Sequence, residues 1–212
     1  MTCAMAQNFA VLTGDLIDST RASRAEVDSS LDRIAKLYGA DHGFSRFRGD
    51  GWQILLDHPG KGLWAMVRIA AELRSSGGLE SRIALGLGPV THFNLDDLSS
   101  ASGPAFIASG RTLSGMPKRE RLGLAGTGVD ILHSRLVVMI DERMSKWSIE
   151  QATAVAIAME TFPMRTQAEI ADMLGISRQA VAARHASSGF SQIIAATWDF
   201  FKLFGQGMNW DA

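Results

Sequence analysis

The stretch RFRGDGWQILL, residues 46–56, restricts the fold more than any other part of the chain. SRFR (45–48) and WQILL (52–56) flank Gly49, Asp50 and Gly51, and two β-prone runs across so short a Gly-rich turn read as a hairpin. FAVLTG (9–14), ending at Gly-Asp, reads as a buried strand, RIALGLGPV (82–90) as another, and RLGLA (121–125) as one more. Between them lie helical patterns. Residues 22–38 carry Ala25, Leu31, Ile34 and Leu37 on one face. GLWAMVRIAAELR (62–74) is amphipathic and is stopped by SSGG, and 104–116 opens on Pro104 in a first turn. The order predicts an α+β fold, a ferredoxin-like sheet with helices on one face.

After about residue 128 the character changes to helix throughout, which predicts two units, 1–128 and 129–212. VDILHSRLVVMIDERMSKW and SIEQATAVAIAMETF read as helices, the second capped by Ser148. In TQAEIADMLGISRQAVAARHAS, Thr166 and Glu169 form a capping box, Gly175 breaks the helix, and Ser177 caps the next. This is a helix-turn-helix pattern over about 166–187. A last helix, about 190–204, is rich in Phe and Trp, and WDFFKLF (198–204) is a candidate dimer face.

With 46% hydrophobic and 20% charged residues in 212, the chain can bury a core. A net charge of -1 gives no global pull toward nucleic acid or membrane. The single cysteine, Cys3, makes no internal disulfide or zinc cluster, and the scattered histidines His42, His58, His92, His133 and His185 lack metal-ligand spacing. Asp96 and Asp97 read as a solvated loop, and the five tryptophans, Trp52, Trp64, Trp147, Trp198 and Trp210, as packing residues. No secretory signal and no bilayer-length apolar run is present, so a cytoplasmic protein with no membrane partner is expected.

Two acidic turns carry the chemistry, Asp15 in TGDLIDST and Asp50 in RGDGW. If the first strand lies beside the hairpin the carboxylates converge, and together they can hold Mg²⁺ or Mn²⁺ with the help of substrate phosphates. The plainer alternative is that each satisfies turn amides.

LTGDLIDST resembles the first metal motif of class III nucleotidyl cyclases, and RFRGDGWQILL resembles the second. RIALGLGPV resembles the strand that follows, and GPAFIASGR the helix motif with Gly103, Pro104, Ala105, Ser109 and Arg111 at matching offsets. The resemblance covers roughly 9–115. It implies a nucleotidyl-cyclase-like sheet, Asp15 and Asp50 as metal ligands, Arg46, Arg82 and Arg111 as nucleotide-facing cations, and Arg111 as the catalytic cation if the chain is an enzyme. Asp18, Arg46, Ser100 and Ile107 depart from the pattern, so base and ribose recognition look altered. An isoleucine cannot supply an amide's hydrogen bonds.

With the helix-turn-helix added, the whole chain resembles the SatD family, which implies a regulatory protein. In such a motif Arg178, Gln179 and Arg184 would face DNA, with Arg165 and Lys202 near phosphates. The balance of acids and bases in 146–212, and the plain Ala182, Ala183 and Ala186, favour packing instead. Three functions follow. The chain is a homodimeric DNA-binding regulator with a nucleotide- or metal-sensing domain, a metal-dependent cyclase or related phosphoryl-transfer enzyme, or a non-catalytic adaptor.

Overall fold

The computed structural model describes residues 7–39, 43–47, 49–95 and 97–205, so that Cys3, His42, Asp96 and Trp210 lie outside it. Five strands form one mixed sheet: β1 (Asn8–Leu16), β2 (Gly43–Phe47), β3 (Gly51–Leu56), β4 (Ser81–Pro89) and β5 (Leu122–Gly126), in the order β2-β3-β1-β4-β5. All neighbours are antiparallel except β4 and β5, which run parallel. The hairpin predicted at Gly49–Gly51 joins β2 to β3.

Alternation along the strands separates two faces. Ala10 and Leu12 of β1, Trp52, Ile54 and Leu56 of β3, and Ile83, Leu85 and Leu87 of β4 enter the main core. On this face lie α1 (Arg24–Tyr38) and α2 (Lys61–Ser75). Trp52, Leu12 and Ile54 are fully buried, and each such side chain contributes roughly 1.5–3 kcal/mol. On the other face Val11 and Leu55 meet Ala105 and Phe106 of α3 (Pro104–Gly115). Helices therefore lie on both faces, not on the single face expected. The reason is in β4. The side chains of Leu85 crowd Gly62 of α2, whereas Gly86 faces the backbone of α3 at Ala105 and Ser109, where no side chain would fit.

Five more helices follow among the described residues: α4 (Ile131–Met144), α5 (Ile149–Ala158), α6 (Gln167–Leu174), α7 (Arg178–Ser188) and α8 (Phe190–Phe204). Val137 and Met144 of α4, Val155 of α5, and Ile193 and Phe200 of α8 enter the same core as Leu12 and Leu85. The junction is also polar: Arg74 Nε donates to the Trp147 carbonyl at 2.6 Å, and Trp147 Nε1 to that of Ser188 at 2.8 Å. Much of the WDFFKLF stripe is covered within the chain, because Phe200 is core and Trp198 and Phe204 pack against it. A smaller cluster of Ala158, Ile170, Ala171 and Val181 holds α5, α6 and α7 together. Among the described residues no helix is long and apolar enough to cross a membrane.

Candidate ligand site at the strand ends

The register of the sheet brings the two acidic turns together. Asp15 pairs with Gly51 across β1 and β3, and the Leu16 N–H reaches the Asp50 carbonyl at 3.3 Å. Gly49 takes φ 88°, a left-handed conformation that suits glycine, and a Cβ on Gly51 would stand 2.7 Å from the Phe47 ring. The Gly-Asp-Gly turn thus favours glycine at one end for its backbone and at the other for lack of space, and Asp50 is the residue it presents.

Asp15 also pairs with Arg82 across β1 and β4, on the α3 side of the sheet. Arg82 grips the carboxylate with two nitrogens, Nε donating to Oδ1 at 2.9 Å and a terminal nitrogen donating to Oδ2. Such a forked pair is stronger and more directional than a single contact. These hydrogen bonds hold the Arg82 guanidinium above its usual range; partial burial opposes this, and the charges of Asp15 and Asp50 add to it. Asp50 Oδ2 accepts from the Ser19 hydroxyl. Below the strand ends, Trp52 Nε1 donates to Ser81 Oγ at 3.0 Å, and Ser81 Oγ donates to the Asp15 carbonyl at 2.8 Å.

Both carboxylates line one cavity of about 400 Å³ between the sheet and α3, with Thr13, Gln53 and Arg82 below, Phe47 at one side, and Gly110, Leu113 and Ser114 above. The Thr13 and Ser109 hydroxyls share a 2.8 Å hydrogen bond, and Gln53 Nε2 donates to Thr13 at 3.3 Å, which fixes the floor. Asp50 also borders a second, more open concavity with Ser19, Thr20 and Arg24. Sequence reasoning missed Gln53 and Thr13; alternation from Trp52, once that residue is put in the core, would have turned Gln53 to this side.

The other predicted residues are elsewhere. Arg46 shares the face of Trp52, its cross-strand partner, and is ion-paired to Asp28 at 3.4 Å and to Asp32 on α1. Arg111 and Ile107 are exposed on α3 and do not line the cavity. Arg178 and Gln179 are exposed at the start of α7, while Arg184 is half-buried; the Ser148 side chain holds Glu150 below the usual carboxylate range by a hydrogen bond, and the Arg184 charge adds a smaller pull. The capping box of α6, the left-handed Gly175 (φ 64°) and the Ser177 cap of α7 stand as the sequence predicted. Arg165 is paired with Glu160 at 2.9 Å.

Among the described residues no cluster of three or more His, Cys, Asp or Glu side chains can hold an ion. Two carboxylates are nevertheless a fitting set for Mg²⁺ or Mn²⁺ that brings phosphate oxygens with it. A carboxylate oxygen has two lone pairs, so Asp15 can accept from Arg82 and still face a cation. One guanidinium against two carboxylates leaves the cavity one negative charge in excess.

No family model matches the chain, and no curated protein matches it in sequence. Among solved structures it is similar to the guanylyl cyclase Cya2, at 18% identity over 56% of this chain and 74% of that one, with a TM-score of 0.42. It is also similar to a bacterial light-regulated adenylyl cyclase, at 15% identity over 55% of this chain and 42% of that one, with a TM-score of 0.40. What the cavity can do is decided by its own residues.

Proposed function

We propose that the protein is a regulator in which the strand-end cavity binds a nucleotide with a divalent cation and the α6–α7 pair contacts DNA. The observation that carries this reading is the register that sets Asp50 beside Asp15 on one cavity. Asp15 and Asp50 would hold Mg²⁺ or Mn²⁺, which when bound neutralises phosphate charge and orients the phosphates. Arg82 keeps Asp15 in one orientation, Ser19 does the same for Asp50, and Gln53 and Ser114 offer polar groups to the rest of the ligand. Exposed Arg178 and Gln179 at the first turn of a capped helix are suited to base edges in a major groove. Two copies would pair through the open side of α3, giving Arg111 a ligand in the partner's cavity.

The test is thermal unfolding with Mn²⁺, with and without ATP or GTP, on wild type and Asp50→Asn. A ligand that binds only the folded state raises the melting temperature. A metal-dependent rise that disappears in the variant supports the site; no rise for wild type sinks it. For the DNA half, Arg178→Ala should weaken binding to mixed-sequence duplex and reduce its salt dependence. Unchanged binding would remove α7 from the reading.

A second reading, cyclisation of a nucleoside triphosphate, is favoured by the two carboxylates on one cavity together with an exposed Arg111 that can serve a partner's ligand. Ile107, exposed where an amide would be needed, weighs against it. Cyclic product made with Mn²⁺ and ATP or GTP, and lost in Asp15→Ala, would install this reading. Turnover that persists in Asp15→Ala would exclude the site from it.

A further inference from the structure

A second kind of cavity, about 300 Å³, opens between α2, α8 and the connection from α5 to α6. Its walls are Trp64 of α2, Trp198 and Phe201 of α8, and Phe162 of the connection, with Lys61 and Thr197 as the polar members. Spacing explains why these side chains converge. Lys61 and Trp64 are three apart on α2, as are Trp198 and Phe201 on α8, and residues so spaced share a helix face. The rings support one another, Phe162 lying 5.5 Å from Trp198 and Trp198 6.3 Å from Phe201. Phe162 is nevertheless 65% exposed, an aromatic rim with no cover.

Size and charge together limit what fits. Small-molecule sites run from about 300 to 1,000 Å³, so this one has room for about two fused rings. Aromatic walls alone would also suit an organic cation. Here they do not, because Lys61 stands in the lining and its ammonium would repel a second cation. Asp57 reaches Lys61 at only 3.5 Å between exposed side chains, and such pairs are weak. The ammonium keeps further N–H donors for an incoming acid.

We propose that this cavity binds a small aromatic carboxylate, its rings among Trp64, Phe162, Trp198 and Phe201 and its acid group toward Lys61. The site owes nothing to Asp15 or Asp50, so it stands or falls apart from the nucleotide reading. Since Phe162 lies in the segment leading into α6, an occupant touches both a helix under the sheet and the entry to the α6–α7 pair.

The experiment uses the full chain without metal or nucleotide. Naphthoate, uncharged naphthylmethanol and naphthylmethylammonium are titrated by calorimetry, with tryptophan fluorescence as a second readout. Naphthoate should bind saturably, more tightly than the alcohol, with the ammonium weakest. Phe162→Ala should weaken naphthoate about tenfold, since it removes a stacking surface. Lys61→Gln should weaken it about threefold, as expected for one exposed charge, and should leave the alcohol unchanged. Both positions are exposed, so melting curves should show intact folds. No saturable naphthoate binding up to about 1 mM, which corresponds to only about -4 kcal/mol, would overturn the proposal. So would wild-type affinity in Phe162→Ala, or an ammonium that binds as well as the acid.

Discussion

In the strand-end cavity the decisive partners are far apart in sequence: Arg82 holds Asp15 across 67 positions, and Ser19 holds Asp50 across 31. In the α6–α7 pair the contacts that shape the turn are local, with Thr166 and Glu169 three apart, Ser177 and Ala180 three apart, and Gly175 ending α6 on itself. The first region depends on the sheet having formed; the second carries its instructions in each turn. Substitutions should therefore cost most where long-range packing has no slack, and least where only a cap is lost.

The largest effect is expected at Gly86. A side chain there would press on the Ala105 carbonyl and the Ser109 backbone of α3, and backbone cannot move aside as a flexible side chain can. Gly86→Val should cost about 3 kcal/mol or more in urea unfolding, and should open the cavity roof with it. Ala183→Val, on the exposed side of α7, should stay within about 0.5 kcal/mol. Equal losses at the two positions would erase the contrast.

Next comes the Asp15–Arg82 pair, whose side chains are 28% and 30% exposed, enough burial for the charges to matter and enough water to screen them. A double-mutant cycle of Asp15→Asn and Arg82→Gln should give a coupling of about 1–2 kcal/mol. A coupling near zero would make the pair incidental to the cavity.

These cases show what the sequence could carry. The caps Ser148, Thr166 and Ser177 were legible because a hydroxyl three residues ahead of a backbone amide is a local pattern. The approach of Asp15 to Asp50 was legible because two acidic turns at strand ends meet once the hairpin lies beside the first strand. The Arg82 grip on Asp15 was not, since it requires β4 on the other side of β1 in a particular register. Arg46 shows a different limit. The motif resemblance implied a place at the ligand, but pairing with buried Trp52 turns it to the face of α1, where Asp28 and Asp32 take it up. The placement of α3 was hidden in the alternation of Ala84 and Gly86 with Ile83, Leu85 and Leu87, small residues against large ones.

Titration probes buried groups with opposite signs. Burial holds His185, stacked on Phe190 at 4.2 Å, below its ordinary 6.5. Burial likewise lowers His58, with the Lys61 charge adding to the effect. Folded chains then bind fewer protons than unfolded ones between the depressed values and 6.5. Their contribution is complete above that pH and is lost as pH falls through the window. Asp141 is the reverse: burial raises it above 3.8 against the N–H of Arg121, donated at 2.7 Å. There the folded chain holds the extra proton, so stability falls as pH rises from 3.8 through the raised value. Carbon-detected NMR titration should place the Asp141 midpoint above 3.8 and both histidine midpoints below 6.5. A histidine midpoint at or above 6.5 would mean that its ring is solvated, and its region looser than packing indicates.

The smallest effect tests the local side of the comparison. Ser177 Oγ accepts from the Ala180 N–H at 3.1 Å and caps the first turn of α7. Ser177→Ala leaves that amide to water and should cost about 1 kcal/mol. Because the contact is confined to one turn, the loss should appear as faster amide exchange at Ala180 and Val181, with exchange in β1 and β4 unchanged apart from the global shift. Val181 is fully buried against Ile170 and Ala171, so α7 should stay docked while its first turn frays. That fraying would loosen Arg178 and Gln179 without moving Arg184 farther along the helix, so the DNA contact proposed for the first turn can be tested apart from the rest. If exchange instead accelerated equally through α6 and α7, the cap would be holding the pair as one cooperative unit, and the turn would be no more local than the strand ends.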